Sequence, residues 1–285
     1  MSVINTNVNS LVAQTAVNIN ARNLSRAMEQ LSTGKRINGA KDDAAGLSIA
    51  QVMTSQIRGL NQAIRNANDG ISLLQTADGA MIEQSNMLQR MRELAVQAAS
   101  DTVTTSQKEY LDNEFQALKS EIDRIGGNTS WNDRPLLDGS GGLAGEADEA
   151  GSGKYMFQVG SSSTTIEVIV PNARTETGAL YDDIKLSNLL DAESADAAIG
   201  EVDDALEEAN SARSKIGSAI NQLTYAADNM SNIAMNTAAS RSRIEDTDYA
   251  SASAELARTQ IIQQAATAML AQANQSPQSV LALLK

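Results

Sequence analysis

The sequence predicts a mainly α protein: long antiparallel helices in coiled-coil layers, with a small β-hairpin insertion. Three observations carry this. Apolar residues recur at alternating steps of three and four over long stretches, the spacing of a helix that packs along another helix. Only 3% of residues are aromatic while 42% are hydrophobic, which suits slender helices better than a thick globular core. Both ends lack charge: neither residues 1–21 nor residues 259–284 contain any Asp, Glu, Lys or Arg.

In the carboxyl-terminal stretch, Ala254, Ala257, Ile261, Ala265 and Ala268 form one stripe, with Ile262, Ala266, Met269 and Ala273 beside it. This is an amphipathic helix with a wide apolar face. Its other side carries Gln, Asn, Thr and Ser where a soluble helix carries Lys and Glu. Seven Gln and Asn interrupt any long apolar run, which excludes a membrane span. Such a helix is best covered by other protein helices. The two ends are therefore expected to pair with each other and to bury their remaining faces against further copies.

Along the chain, Val17, Ala21, Leu24, Met28 and Leu31 form a first seam. Turn chemistry follows at Ser32-Thr33-Gly34 and Asn38-Gly39, then Lys41-Asp42-Asp43, where one of the two acids is placed to cap the next helix. Ala50, Met53, Ile57, Leu60, Ile64, Ala67, Ile71 and Leu74 keep the rhythm, which softens where Asp78, Ser85 and Arg92 alternate with Met81, Leu88 and Ala95. A single helix over 44–99 would be roughly 84 Å long. Gly59, Gly70 and Gly79 within it each cost about 1 kcal/mol against Ala unless close packing needs them. A shorter helix bears Leu111, Phe115, Leu118, Ile122 and Ile125 and is expected to end at Gly126-Gly127. Tyr155, Phe157, Val159 and then Ile166, Val168, Val170 alternate around a small-residue turn, a β-hairpin stopped by Pro171. A second long seam holds Ile199, Val202, Leu206, Ala209, Ile216, Ile220, Leu223, Ala227, Met230 and Ala234, with Arg213 its exception.

The net charge of −13 sits in the middle. Residues 138–208 hold sixteen acids against Lys154, Arg174 and Lys185, and the remainder balances. A nucleic-acid partner, which needs a basic face, is disfavoured. The chain has no Cys and no His, so thiol chemistry and the commonest general base are absent. The amino terminus lacks the basic and apolar regions of a cleaved Sec signal, so any exit from the cell is expected to use another route. Gly139-Ser140-Gly141-Gly142-Leu143-Ala144 matches a dinucleotide fingerprint formally, but no strand precedes it, and a loop is the better reading. The acid pairs Asp182-Asp183, Asp203-Asp204 and Glu207-Glu208 read as solvated surface. The sequence offers no catalytic, cofactor or metal residue.

Short motifs carry a resemblance. Ile4-Asn5-Thr6-Asn7, Gln30-Leu31-Ser32-Thr33-Gly34, Arg36-Ile37-Asn38, Lys41-Asp42-Asp43-Ala44-Ala45-Gly46, Arg65-Asn66-Ala67-Asn68-Asp69-Gly70-Ile71-Ser72 and QRMRELAV at 89–96 resemble the amino-terminal half of bacterial flagellin. LAQANQ at 270–275 and PQSVLALLK at 277–285 resemble its carboxyl terminus. The resemblance covers residues 1–139 and 198–285, and the short middle implies a minimal form without large outer domains.

It implies a structural, non-enzymatic subunit that polymerises through its terminal helices into the flagellar filament for swimming motility. Residues 1–44 and 241–285 would form an inner coiled-coil domain with a connecting spoke. Residues 45–240 would form an outer helical domain with an acidic, partly β segment at 131–190. The implied inner core is Ile4, Val8, Leu11, Val17, Leu24, Met28, Leu31, Leu256, Ile261, Ile262, Met269, Leu270, Val280, Leu281 and Leu284. Lys41, Asp42 and Asp43 read, from the residues themselves, both as a salt-bridging joint that sets the angle between the two layers and pairs across subunits and as a helix cap beside a turn. Met53, Ile57, Leu60, Ile64, Ile71 and Leu74 with Ile216, Ile220, Leu223 and Met230 are the outer seam. Gln89, Arg90, Arg92, Glu93, Leu94 and Glu114 are candidate contacts of host innate-immune receptors, and residues 29–50 resemble the stretch sensed by a plant receptor kinase. Implied partners are copies of itself, the flagellar type III export apparatus that passes it unfolded, a chaperone, the filament cap and hook-junction proteins. Nucleic acid and membrane insertion are not implied, and the location is extracellular. Two other readings stay open: a hook–filament junction protein, and a coiled-coil signalling or adhesion module that does not polymerise.

Overall fold

The computed structural model describes residues 6–140, 152–160, 164–175, 178 and 180–282, with backbone alone at 183 and 276–282. Ile4, Leu284, the end of the fingerprint-like loop and the centre of the hairpin turn lie outside the described residues; Val280 and Leu281 are helical backbone. The order is α1 (Val8–Thr33), α2 (Ala44–Ala98), α3 (Thr105–Asn128), β1 (Ser130–Trp131), β2 (Arg134–Pro135), β3 (Gly153–Gln158), β4 (Thr165–Val170), a short 3₁₀ turn (Asp183–Lys185), α4 (Ala192–Glu245) and α5 (Tyr249–Ala282). The fold is mainly helical with one hairpin of six-residue strands, as the periodicity predicts, and a second of two-residue strands that it does not. Two compact units result: Met1–Gln56 with Met235–Lys285, and Ile57–Ala234.

In the second unit, α2 buries Leu60, Ala63, Ala67, Gly70, Leu74, Ala77, Met81, Gln84, Leu88, Met91, Ala95 and Ala98, a 3,4 alternation without a slip. On α4 the buried line is Ala195, Ala198, Val202, Ala205, Ala209, Ala212, Ile216, Ala219 and Leu223. Half of the α2 line and two thirds of the α4 line are therefore small. The bulky Ile64 and Ile71 on α2, and Ile199, Leu206 and Ile220 on α4, lie partly buried along its flanks. Small central residues let the helix backbones approach, and the branched side chains close over the edges. Asp78 and Arg213, which interrupt the sequence-read seams, bond to each other across the helices at 2.9 Å. Arg92 and Asp203 do the same further along, so α2 and α4 run antiparallel.

The helix α3 does not stop at Gly126-Gly127 but continues to Asn128. Gly126 is buried because the connector after β4 crosses there: a Cβ would come within 2.6 Å of the Ala173 carbonyl oxygen. Its glycine serves close approach, not termination. Beyond α3, Asn132 (φ 51°) and Asp133 (φ 61°) make the two-residue turn of the β1–β2 hairpin, a turn with both central residues left-handed.

The β3–β4 hairpin pairs Tyr155 with Val168 and Phe157 with Ile166. Tyr155, Val168 and Val170 are buried, while Met156 and Ile169 on the other face are exposed. Phe157 lies over α2 at Gly70, where a Cβ would meet its ring at 2.8 Å. Around Gly79 nothing would lie within 4 Å of an added Cβ. Gly79→Ala is therefore expected to stabilise the protein by about 0.5–1 kcal/mol through helix propensity. Gly70→Ala is expected to destabilise it by displacing Phe157. Thermal unfolding of the two variants should move the midpoint in opposite directions.

Candidate assembly surface

The helices α1 and α5 pack antiparallel within the first unit. Asn7 Nδ2 donates to the Ala273 carbonyl (2.7 Å), Ser10 Oγ to Asn274 Oδ1 (2.6 Å), and Asn20 Nδ2 to the Thr259 carbonyl (2.8 Å) and Gln263 Oε1 (2.9 Å). The paired line on α1 is Ser10, Ala13, Val17, Asn20, Leu24, Ala27 and Leu31; on α5 it is Ala252, Leu256, Thr259, Gln263, Ala266, Leu270 and Ala273. Both keep strict 3,4 spacing, yet most of their members are small or polar. Asn20, Thr259 and Gln263 were invisible to a search for apolar residues; only unbroken heptad spacing marks them.

The apolar stripe read on α5 lies on the other side. Ala254, Ala257, Ile261, Ala265 and Ala268 are all exposed, as are Ile262 and Met269. On α1, Val8, Leu11, Val12, Ile19 and Met28 are exposed too, with Val12 at 64%, Ile261 at 67% and Met269 at 64%. Fully covering one such side chain is worth about 1.5–3 kcal/mol. No charged residue breaks this surface on α5 beyond Arg258, or on α1 before Arg22.

At the joint, each member of Lys41-Asp42-Asp43 has its own task. Asp43 caps α2, its Oδ1 accepting from Gly46 N–H at 2.9 Å. Asp42 Oδ2 accepts from the N–H groups of Asn38 (3.3 Å) and Gly39 (3.2 Å), closing the turn. Lys41 Nζ stands 3.6 Å from Glu29 on α1, an exposed pair. Gly34 takes a left-handed conformation (φ 71°) at the end of α1, and the chain then lies along the α4–α5 break. There Arg36 N–H donates to the Glu245 carbonyl (2.7 Å) and Thr247 N–H to the Gly34 carbonyl (3.0 Å).

In the second unit, the face read as a receptor contact is a charge cluster on α2 and α3. Arg90 donates from Nε (3.0 Å) and Nη2 (2.8 Å) to Glu114 Oε1, and from Nη1 to Glu93 Oε2 (2.9 Å). Gln89 is exposed beside them. Arg92 instead binds Asp203 on α4, and its hydrogen bond and charge hold that carboxyl below the usual range. Leu94 is only 1% exposed and belongs to the core, so its side chain offers nothing at the surface. Gln84 is fully buried, donating to the carbonyls of Ile122 (3.1 Å) and Ala173 (2.9 Å) and accepting from Tyr181 Oη (3.2 Å). Burial pushes the Tyr181 phenol up, keeping it a donor. Among the described residues, no group of three His, Cys, Asp or Glu could hold a metal ion, and no helix is long and apolar enough to cross a membrane.

Long heptad helices with an uncovered apolar side on an uncharged terminal pair define a structural subunit of a helical assembly. Residues 4–141 match the bacterial flagellin N-terminal helical region, and residues 199–284 match the C-terminal helical region. The chain belongs to the bacterial flagellin family. It is 41% identical over 283 residues to flagellin of Halalkalibacterium halodurans, covering 99% of this chain and 100% of that one. To flagellin of Bacillus subtilis it is 39% identical over 305 residues, covering 99% of both. A solved putative flagellar hook-associated protein from Vibrio parahaemolyticus aligns with a TM-score of 0.57 at 14% identity, covering 72% of this chain and 100% of that one. That likeness is one of fold alone. The whole-length match to the first relative makes this a short flagellin without a large outer domain, a structural filament subunit.

Proposed function

We propose that the chain polymerises by docking the exposed apolar sides of α1 and α5 against those of neighbouring copies. The observation that carries this reading is the pairing itself, which buries small and polar residues and leaves Val8, Leu11, Met28, Ile261, Ile262 and Met269 facing outward. Residues 1–44 and 241–285 form the inner layer, and residues 45–240 the outer one. The role is structural rather than catalytic. Subunits pass unfolded through the flagellar type III apparatus with a chaperone, and meet the hook-junction and cap proteins in the extracellular filament that drives swimming. Host receptors meet the Arg90–Glu93–Glu114 face, Gln89 beside it, only on the free subunit.

The test is seeded growth. Heat-dissociated subunits mixed with filament fragments should extend them into micrometre fibres. Failure of the wild-type chain to extend its own seeds would instead favour a junction protein or a non-polymerising module.

A further inference from the structure

The turn between α1 and α2 holds an acceptor for which none of the described residues supplies a donor. Asp42 Oδ2 takes the two turn N–H groups, but Asp42 Oδ1 is shielded from solvent and has no hydrogen bond among the described residues. Arg26 Nε stands 3.8 Å from it, inside ion-pair range but beyond hydrogen-bond reach. The Arg26 side chain is 60% exposed while that of Asp42 is 10% exposed. A carboxylate oxygen stripped of water and left without a donor is costly, and such groups normally have partners.

Asp42 lines an open cleft of about 270 Å³ together with Arg26, Gln30, Arg36, Ile37 and Asp43. The polar groups around it are otherwise engaged. Asp43 caps α2, Arg36 Nη2 donates to the Ile244 carbonyl at 2.7 Å, and Gln30 Nε2 donates to the Arg36 carbonyl at 3.0 Å. What Asp42 Oδ1 lacks is an N–H donor within hydrogen-bond reach, because Arg36 is bonded elsewhere and Arg26 stands 3.8 Å away.

We propose that this cleft receives an Arg or Lys side chain from a second copy, whose N–H completes Asp42 Oδ1 in the assembled fibre. The inference rests on the filament reading above. The cleft admits a side chain rather than a helix. A second copy has cations to give, because Arg22, Arg58 and Lys215 make no ion pair among the described residues. Two residues that line the cleft, Arg26 and Gln30, stand on α1 on either side of the exposed Met28, so a neighbour covering that end of α1 comes within reach of it. Completing the bond would hold the turn at 38–43 in one geometry only when a neighbour is present, linking the joint to assembly.

Asp42→Asn keeps the shape and the acceptor for the turn while removing the charge. It should leave the thermal midpoint of the monomer unchanged and raise the critical concentration for seeded growth roughly tenfold, the worth of a charge-assisted bond. The chain has no cysteine, so Asp42→Cys carrying a benzophenone label is a unique probe. Irradiated fibres should yield cross-linked dimers whose joined peptide contains an Arg or Lys of the neighbour, and irradiated monomer should not. Growth of Asp42→Asn at the wild-type critical concentration would overturn the proposal. So would labels that map only to Arg26 of their own chain, with Arg26→Gln and Asp42→Asn destabilising the monomer equally; the contact would then be an internal latch. Wild-type chain that fails to extend seeds would sink the filament reading itself, whereas wild-type growth with an indifferent Asp42→Asn would sink this inference alone.

Discussion

Ile261→Asp is expected to abolish seeded fibre growth while leaving the folded monomer as stable as the wild type. In the monomer, Ile261 is 67% exposed and lies off the line by which α5 meets α1. An acid there meets water, and surface changes of this kind usually stay within about 0.5 kcal/mol. Once a neighbour covers the position, the sign reverses. The assembly loses the roughly 1.5–3 kcal/mol that burying an isoleucine provides. It must also desolvate a carboxylate on a surface that offers no Lys or Arg between 259 and 282. A loss above 4 kcal/mol raises a critical concentration about a thousandfold, beyond any usable range. Ile261→Val grades the effect: about 1 kcal/mol, hence a severalfold increase. Circular dichroism of the monomer and elongation on wild-type seeds check both halves. Normal growth of Ile261→Asp would mean that this side of α5 stays wet in the fibre, contrary to the proposed docking.

The contrast between Ile261 and its neighbour Thr259 explains what the sequence made legible. Helix number, order and approximate limits followed from periodicity, because 3,4 spacing survives any substitution that keeps a side on the core. The face was harder. On α1, the seam at Val17, Leu24 and Leu31 is completed by Asn20 and Ala27, whereas Ala21 and Met28, the more hydrophobic run, sit beside it. On α2, Ala63, Gly70 and Ala77 take the places between Leu60, Ala67, Leu74 and Met81, while Ile64 and Ile71 flank them. On α5, the whole apolar stripe faces away from α1. Bulk draws the eye in a sequence, but a helix pair that packs closely needs small residues at its centre. In a subunit that assembles as proposed, the bulky exposed faces are left for other copies. Sequence reasoning thus found the apolar faces and could not say which of two adjacent stripes α1 and α5 turn towards each other. The division of labour at the joint was legible only in part. One acid reads as a cap, and nothing in Lys41-Asp42-Asp43 alone announces that the other would be left with an unmade hydrogen bond.

Gln84→Leu should lower the stability of the second unit by about 3–5 kcal/mol, although leucine fits the apolar seam pattern better than glutamine. Gln84 occupies a seam position between Met81 and Leu88, and its amide joins three elements: α2, α3 through Ile122, and the connector after β4 through Ala173 and Tyr181. Leucine satisfies none of them. The Ile122 carbonyl retains its place in the helical ladder of α3, so the damage falls on the Ala173 carbonyl and the Tyr181 hydroxyl. Each buried group left without a partner costs about 1–3 kcal/mol, with the lost bonds adding to that. For a unit of this size each kcal/mol moves the melting midpoint about 2–4 °C, so a drop near 10 °C is expected. Adding Tyr181→Phe removes one orphan and should recover part of the loss, making the double variant more stable than the sum of the singles requires. Strict additivity would show that the three groups do not act together. Because α1 and α5 belong to the other unit, Gln84→Leu at low temperature should still extend seeds, separating a fault in the fold of one unit from a fault in the assembling surface of the other.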